Sequence, residues 1–139
     1  MKNIRVLSFL LALVLALSLT ACGGGGGDKD DTADVFADID MTSTTEQAVC
    51  DERASMDVLS ETFNTYLGGL NYFVGTDMEK LTYADLKGHI GVDCTAYLYD
   101  DMMSRGVYIW KADGRDTAYL SLFLDSSGKL VAAGATNLG

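Results

Sequence analysis

The chain has 139 residues, with 10 Lys and Arg against 20 Asp and Glu, and a net charge of −10 at pH 7. This length fits one small domain with an added tail. A strongly acidic chain repels nucleic-acid phosphates and anionic lipid headgroups. The composition therefore argues against a nucleic-acid-binding protein and against a domain that adheres to a bilayer by itself.

Residues 1–21 have the pattern of a secretory signal peptide. Two basic residues precede the apolar run Val6–Leu17, which is too short and wrongly flanked for a stable membrane span. Leu19-Thr20-Ala21-Cys22 resembles the bacterial lipobox, in which the cysteine thiol is acylated. We therefore expect cleavage after residue 21 and a lipid on Cys22 that anchors the protein to the membrane. The alternative is an ordinary secreted protein with an unmodified Cys22.

Residues 22–42 read as a tether that follows the signal peptide. Five consecutive glycines, Gly23–Gly27, form a flexible coil, and the acidic residues after them stay solvated. The spacing Asp28-x-Asp30 lacks the glycine and the glutamate that a calcium-binding EF-hand loop requires. We interpret the segment as a spacer between the lipid and the domain.

The domain is predicted over residues 43–139 and begins with two helices. Ser43-Thr44-Thr45-Glu46 fits a capping box, and apolar residues then recur at helical spacing, which predicts a helix over 44–67. Thr82 and Asp85 fit a second capping box, and Gly91 is a stop signal, so a short helix is predicted over 82–90. Between the two helices, residues 70–74 predict a brief extended piece.

From Gly91 onward the apolar period changes to two, which indicates strands. Asp113-Gly114 is a strong hairpin signal, and Asp125–Gly128 is a further turn. Four consecutive strands with short turns predict an antiparallel meander. The expected fold class is α+β, with two N-terminal helices packed on a four-stranded antiparallel meander sheet.

This order of elements is similar to the helix–helix–four-strand modules of the beta-lactamase-inhibitor-protein-like superfamily. The residues that carry the resemblance are the Leu-Thr-Tyr-x-Asp-Leu helix that ends in Ile90-Gly91, then Tyr108-x-Trp110, Phe123 and Asp125–Leu130. The superfamily includes small lipoproteins related to the SmpA/OmlA family of outer-membrane assembly factors. The resemblance implies a fold that binds other proteins through its sheet face or loops and that is not an enzyme. It covers one module, whereas the inhibitor has two, and the glycines after Cys22 are more typical of Gram-positive lipoproteins.

Cys50 and Cys94 are the other cysteines of the chain. An oxidising compartment permits a disulfide between them, which would tie the first helix to the sheet at about 2–4 kcal/mol. Two buried, unpaired thiols are the alternative. Neither cysteine has the neighbouring histidine and acid that nucleophilic catalysis requires.

Aromatic residues alternate along the predicted strands. Depending on which sheet face the helices cover, Tyr97, Tyr99, Tyr108 and Tyr119 could form a tyrosine-rich interface. Trp110 is expected in the core.

The sequence has no residue pattern that indicates a catalytic site or a metal site. His89 is the single histidine and is expected to be structural, which leaves no Ser-His-Asp triad and no metal-ligand spacing. Asp100 and Asp101 are expected to be solvated turn residues rather than a glycosidase pair. No cofactor, metal or catalytic residue is predicted.

The sequence therefore predicts a non-enzymatic, lipid-anchored module on the outer face of the cell membrane that binds another envelope protein. The alternative is an envelope lipoprotein that binds a small ligand between its helices and its sheet. An acidic domain suits a partner with a basic patch.

Overall fold

The computed structural model describes residues 35–69 and 77–139. They form a five-stranded antiparallel sheet and two short helices, so the α+β class predicted from sequence is confirmed. The predicted signal peptide, most of the tether and the predicted extended piece at 70–74 lie outside the described residues. Within the described ranges, no helix has the length and apolar character needed to cross a membrane.

Along the chain, one short strand is followed by the helices and then by four strands. The elements are β1 (Gln47–Ala48), α1 (Met56–Glu61), α2 (Tyr83–Ile90), β2 (Ala96–Asp100), β3 (Arg105–Ala112), β4 (Arg115–Leu124) and β5 (Leu130–Thr136). A π-helical turn, Thr62–Tyr66, extends α1, and a 3-10 turn, Asp77–Lys80, precedes α2. The sheet order β1-β2-β3-β4-β5 contains the four predicted meander strands.

Two details of the predicted fold are wrong. The sheet has five strands rather than four, because Gln47–Ala48 pairs with β2 through Gln47↔Tyr97 and Ala48↔Ala96. The helices consequently lie in the middle of the described chain, between β1 and β2, and not before the first strand.

The predicted helix over 44–67 is replaced in its first half by extended chain. Ser43 Oγ accepts a hydrogen bond from Thr45 N at 3.3 Å, which makes a local turn rather than a helix cap. Val49 N then donates to the Thr95 carbonyl at 2.9 Å, a bond that holds this segment along the sheet edge. Helix α1 begins only after Ser55, whose Oγ accepts from Val58 N at 3.3 Å. The sheet edge therefore uses the backbone groups that a helix would have used itself.

The second helix follows its sequence signals closely. The backbone N–H and the hydroxyl of Thr82 both donate to Asp85 Oδ2 at 2.9 Å, which fixes the first turn of α2. Gly91 ends the helix with φ 97°, a left-handed conformation that costs glycine little.

Alternation along the strands divides the sheet into two faces. One face, here called the helix face, packs on α1 and α2 through a buried cluster that includes Trp110, Leu120 and Leu122. The opposite face, here called the second face, carries a smaller apolar cluster around Val107 and Ile109. The prediction that Trp110 lies in the core is confirmed, since its side chain is fully buried.

Candidate binding surface

An aromatic cluster fills the centre of the helix face. Tyr83 from α2 lies over Tyr108 and Trp110, with ring centroids 5.0 and 5.6 Å apart. Phe36 meets Tyr83, Tyr97 and Tyr108 edge-on, at 5.2, 6.2 and 5.7 Å. Edge-to-face and offset contacts of this kind stabilise a core beyond the area that they bury. Here the space between helix and sheet is occupied by the protein's own rings.

A buried polar network lies beneath this cluster. The Tyr83 hydroxyl donates to Asp93 Oδ1 at 2.7 Å and accepts from Cys94 N at 3.0 Å. Lys87 Nζ lies 3.1 Å from Asp93 Oδ2, and the Asp93 side chain is fully buried. Burial, together with the nearby Cys94 and Asp93, raises the pKa of Tyr83, so its hydroxyl stays protonated as a donor. The network supports the fold, because Asp93 has no access to solvent.

An open cleft lies on the helix face at the turn between β2 and β3, beyond the part of the sheet that the helices and Phe36 cover. Its volume is about 280 Å³. Three aromatic side chains of the helix face line it, those of Tyr97, Tyr99 and Tyr108, together with Met41 and residues of the turns at Ser104–Gly106 and Asp125–Gly128. We call this feature the tyrosine cleft.

Gly106 lets the tyrosine rings approach the strand backbone. A Cβ at this position would lie 3.0 Å from Cε2 of both Tyr97 and Tyr108, tighter than ordinary packing. The Tyr97 hydroxyl also donates to the Met41 carbonyl at 2.8 Å, which fixes the N-terminal segment beside the cleft. Tyr99, opposite Gly106 in the strand register, is held by its own backbone N–H, which donates to the Ser43 carbonyl at 2.8 Å.

Exposed methionines flank the tyrosine cleft. Among the described residues, the large apolar side chains classed as exposed are Met41, Met102 and Met103, at 37, 89 and 61 % exposure. Met41 lines the cleft directly, and the turn that carries Met102 and Met103 ends at Ser104 in its wall. Asp100 Oδ1 shapes that turn by accepting from Met102 N and Met103 N at 3.1 and 3.2 Å. The exposed apolar surface is thus gathered at one end of the molecule.

The four tyrosines predicted as a possible interface are divided between the two faces. Tyr97, Tyr99 and Tyr108 share the helix face and meet at the cleft. Tyr119 packs instead with the cluster on the second face. The sequence reasoning missed Met41 and Gly106. A glycine inside a strand of aromatics was an available signal, because it often marks a close approach of other atoms to the backbone.

The disulfide that the sequence permits between Cys50 and Cys94 is not formed. Cys94 is a free, fully buried thiol in the core cluster with Trp110 and Leu86, a cluster to which Cys50 does not belong. The two cysteines nevertheless lie on neighbouring segments, just after β1 and just before β2, since Cys50 N donates to the Thr95 carbonyl at 3.4 Å. Burial raises the pKa of the Cys94 thiol to about 12, so it stays protonated and unreactive at neutral pH.

His89 and Asp100 have structural contacts. The imidazole of His89 stacks on Tyr66 at 3.8 Å, and its Nε2 lies 2.9 Å from Glu61 Oε2. Asp100 pairs with Arg105 at 3.2 Å in addition to its turn bonds. No group of three or more His, Cys, Asp or Glu side chains within residues 35–69 and 77–139 is placed to hold a metal ion.

A second depression, of about 410 Å³, adjoins the far side of the Asp125 turn. Its lining is mostly charged, with Glu79, Lys80 and Lys129 beside the start of β5. It lacks the aromatic walls of the tyrosine cleft, which is therefore the stronger candidate for recognition.

Comparison of the chain with protein-family models, with curated proteins and with solved structures finds no match.

Proposed function

We propose that this protein is a lipid-anchored, extracytoplasmic module that binds another protein of the cell envelope through the tyrosine cleft and has no catalytic activity. The observation that carries the proposal is the gathering of the exposed methionines around a tyrosine-lined cleft. Tyrosine and methionine are enriched at protein interfaces, where a flexible thioether adapts to varied partners.

The burial pattern supports a contact surface at this end. Met102 is 89 % exposed although burial of such a side chain is worth about 1.5–3 kcal/mol. Neighbouring tyrosines present apolar rings with a polar tip, which suits a surface that is wet when free and dry when bound. Binding through a sheet face and its loops is also what the resemblance to the beta-lactamase-inhibitor-protein-like modules implies.

The non-enzymatic part of the proposal rests on how the reactive groups are used. The single histidine is engaged with Tyr66 and Glu61. The buried carboxylate of Asp93 is enclosed by Tyr83 and Lys87. Each of these groups has a partner that accounts for its position.

The anchor belongs to the same proposal and has a separate test. With Cys22 acylated, the protein partitions into the detergent phase of Triton X-114 and incorporates labelled palmitate. Cys22→Ala moves it to the aqueous phase without label, whereas Cys94→Ala leaves both properties unchanged. Label that persists in the Cys22→Ala variant would place the lipid elsewhere.

The binding surface is tested in the producing cell by photocrosslinking. A photoreactive amino acid replaces Tyr99 or Met102 beside the cleft, or Asp57 on α1 at the other end of the sheet. Asp57 is exposed, as Met102 is, and α1 begins two residues after Ala54, which bridges Ala112 at the far end of β3. We expect the same protein adduct from the first two positions and none from the third. Equal adducts at all three positions, or none at any, would refute the cleft as the contact surface.

Small-ligand binding is the second candidate function, and the cleft itself favours it. Its volume of about 280 Å³ is close to the lower end of ligand pockets, ~300 Å³. Native mass spectrometry of the lipoprotein extracted in mild detergent distinguishes the two functions. A co-purifying small molecule that is lost in the Tyr99→Ala variant supports ligand binding, and the bare protein mass supports a protein partner.

A further inference from the structure

We propose that the tyrosine cleft accepts an extended segment of the partner that presents arginine or lysine side chains. The proposal rests on the proposed function and adds the chemistry of the partner. It is carried by the charge around the cleft together with the aromatic walls.

Three carboxylates stand at or beside the cleft. Asp125 lines it, Asp40 precedes the lining residue Met41, and Asp101 lies in the exposed turn that leads to Ser104. Within the described residues none of the three belongs to an ion pair, although six such pairs exist, among them that of the lining residue Arg105 with Asp100. Negative charge at the cleft is therefore left without a fixed partner.

Two of these carboxylates are held in place by their own turns. Asp125 Oδ1 accepts from Ser127 N, Ser127 Oγ and Lys129 N at 2.9, 2.6 and 3.1 Å. Asp40 Oδ1 accepts from the backbone and the hydroxyl of Thr42 at 3.0 and 2.7 Å. These bonds are directed to Oδ1, which leaves Oδ2 of each group for a cation.

The same hydrogen bonds keep both groups ionised. Bonds from Ser127 lower the pKa of Asp125, and bonds from Thr42 lower the pKa of Asp40, below the usual range of an aspartate. The pKa of Tyr97 is raised, first by burial and then by the charges of Tyr99 and Asp40, which is consistent with the position of Asp40 beside the cleft.

The cations near the cleft do not cancel this charge. The guanidinium of Arg105, a residue that also lines the cleft, pairs with Asp100 at 3.2 Å and lies 4.3 Å from the centroid of the Phe123 ring, so its charge is balanced by Asp100. Lys129 acts on Asp125 alone, from an exposed position at the neighbouring depression. One cation against three carboxylates leaves the cleft anionic.

A cleft with tyrosine walls and carboxylates at its rim suits a cationic side chain. A guanidinium or ammonium group over a tyrosine face gains about 0.5–1 kcal/mol at an exposed site, and a rim carboxylate adds a charge-assisted hydrogen bond. Tyr99 and Tyr108 are half-buried, so part of each side chain is accessible to such a group. The Tyr108 ring also packs against Phe36, Tyr83 and Tyr97. The small, open cleft suits side chains from an extended segment better than a folded surface.

The test measures peptide binding to the full-length lipoprotein in non-ionic detergent micelles by fluorescence anisotropy. The probes are nonapeptides that alternate glycine with arginine, lysine, citrulline or glutamate. Citrulline has the shape of arginine without its charge. We expect the arginine and lysine peptides to bind, binding to weaken as salt rises, and the citrulline and glutamate peptides to bind at least about tenfold more weakly.

Variants locate the binding on the protein. Asp40→Asn combined with Asp101→Asn should weaken binding of the arginine peptide about three- to tenfold, since each exposed pair is worth up to about 1 kcal/mol. Tyr99→Leu should weaken it about two- to fivefold, because it removes the aromatic ring on which the cation would lie. Asp57→Asn removes a charge at the other end of the sheet and should have no effect.

Other outcomes separate this proposal from the proposed function. Equal binding of the citrulline peptide, or equal losses in the Asp57→Asn variant and the cleft variants, overturns the proposal of a basic segment. If the crosslinks at Tyr99 persist while the arginine peptide fails to bind, the cleft is still a protein-binding site, but its partner is not basic. If the crosslinks are absent as well, both proposals are wrong.

Discussion

The hydroxyl group of Tyr83 satisfies two buried polar groups at once, the carboxylate of Asp93 and the backbone N–H of Cys94. The ring that carries it also stacks against Trp110. One side chain thus links helix α2, the segment before β2 and the aromatic cluster. A buried polar group that loses its partner costs far more than a hydrogen bond gains.

Tyr83→Phe is therefore expected to destabilise the protein by about 1–3 kcal/mol, because it leaves Asp93 Oδ1 and Cys94 N without this partner while the ring packing is kept. Trp110 is the single tryptophan of the chain and is fully buried, so its fluorescence follows urea unfolding directly. Tyr119→Phe is the matched control, with an expected change within about 0.5 kcal/mol. A loss of the same size in both variants would show that the network has no special role.

Raised pKa values predict a loss of stability in alkali. Burial raises the pKa of the Cys94 thiol from 9.0 to about 12 and that of Tyr108 from 10.0 to about 12. Between these values the unfolded chain loses protons that the folded protein retains, so deprotonation favours unfolding. The contribution of these two groups to the free energy of unfolding is fully present below pH 9. It is lost as the pH rises from 9 to 12, at up to about 1.4 kcal/mol per pH unit for each group.

The contribution of the thiol is separated by Cys94→Ala. Urea midpoints of the wild-type protein should decrease between pH 9 and 10, whereas those of the variant should stay flat until the buried tyrosines, Tyr83 and Tyr108 among them, begin to titrate in the unfolded chain above pH 10. Parallel curves for the two proteins would contradict the assignment to Cys94.

Among the secondary-structure elements, local capping and stop signals predicted a helix correctly where the pairing of the sheet did not compete for the same residues. The cap at Thr82 and the left-handed Gly91 bound α2 as the sequence predicted. The capping-box pattern Ser43–Glu46 did not start a helix, because this part of the chain has long-range partners. Gln47–Ala48, directly after the pattern, pairs with β2, and Glu46 forms an ion pair with Lys111. Such pairing joins residues about 50 positions apart, which no local window contains.

The corrected start of α1 has a direct test. Ser55→Ala removes the side chain that caps Val58 N and should cost about 0.5–2 kcal/mol, which urea unfolding measures. Ser43→Ala removes a hydroxyl from an exposed turn and should change stability by less than about 0.5 kcal/mol. The reverse ranking would restore the helix start at Ser43.

For the whole molecule, charge is the property that the sequence establishes most directly. The full chain of 139 residues has a net charge of −10, and many carboxylates of the domain lie at the surface. Repulsion among them opposes the compact state and is screened by salt. The location of the cleft could not be read from composition, because it depends on which strand face meets the helices.

Salt is therefore expected to stabilise the protein. Raising NaCl from about 10 mM, where the screening length is about 30 Å, to about 0.3 M should raise the urea midpoint measured by Trp110 fluorescence. Glucose at equal osmolarity is the control for non-ionic effects. An unchanged or lower midpoint would mean that the surface ion pairs outweigh the repulsion.

The meander order of β2 to β5 has a consequence for how the chain acquires its structure. Strands β3 to β5 each pair with the strand that precedes them in the chain, so these hairpins close short loops and form quickly. Strand β1 can pair only after the more distant β2 has been synthesised. A chain that folds in the order of its synthesis exposes each new strand edge only until the next strand arrives. The time available for pairing with the wrong chain is correspondingly short.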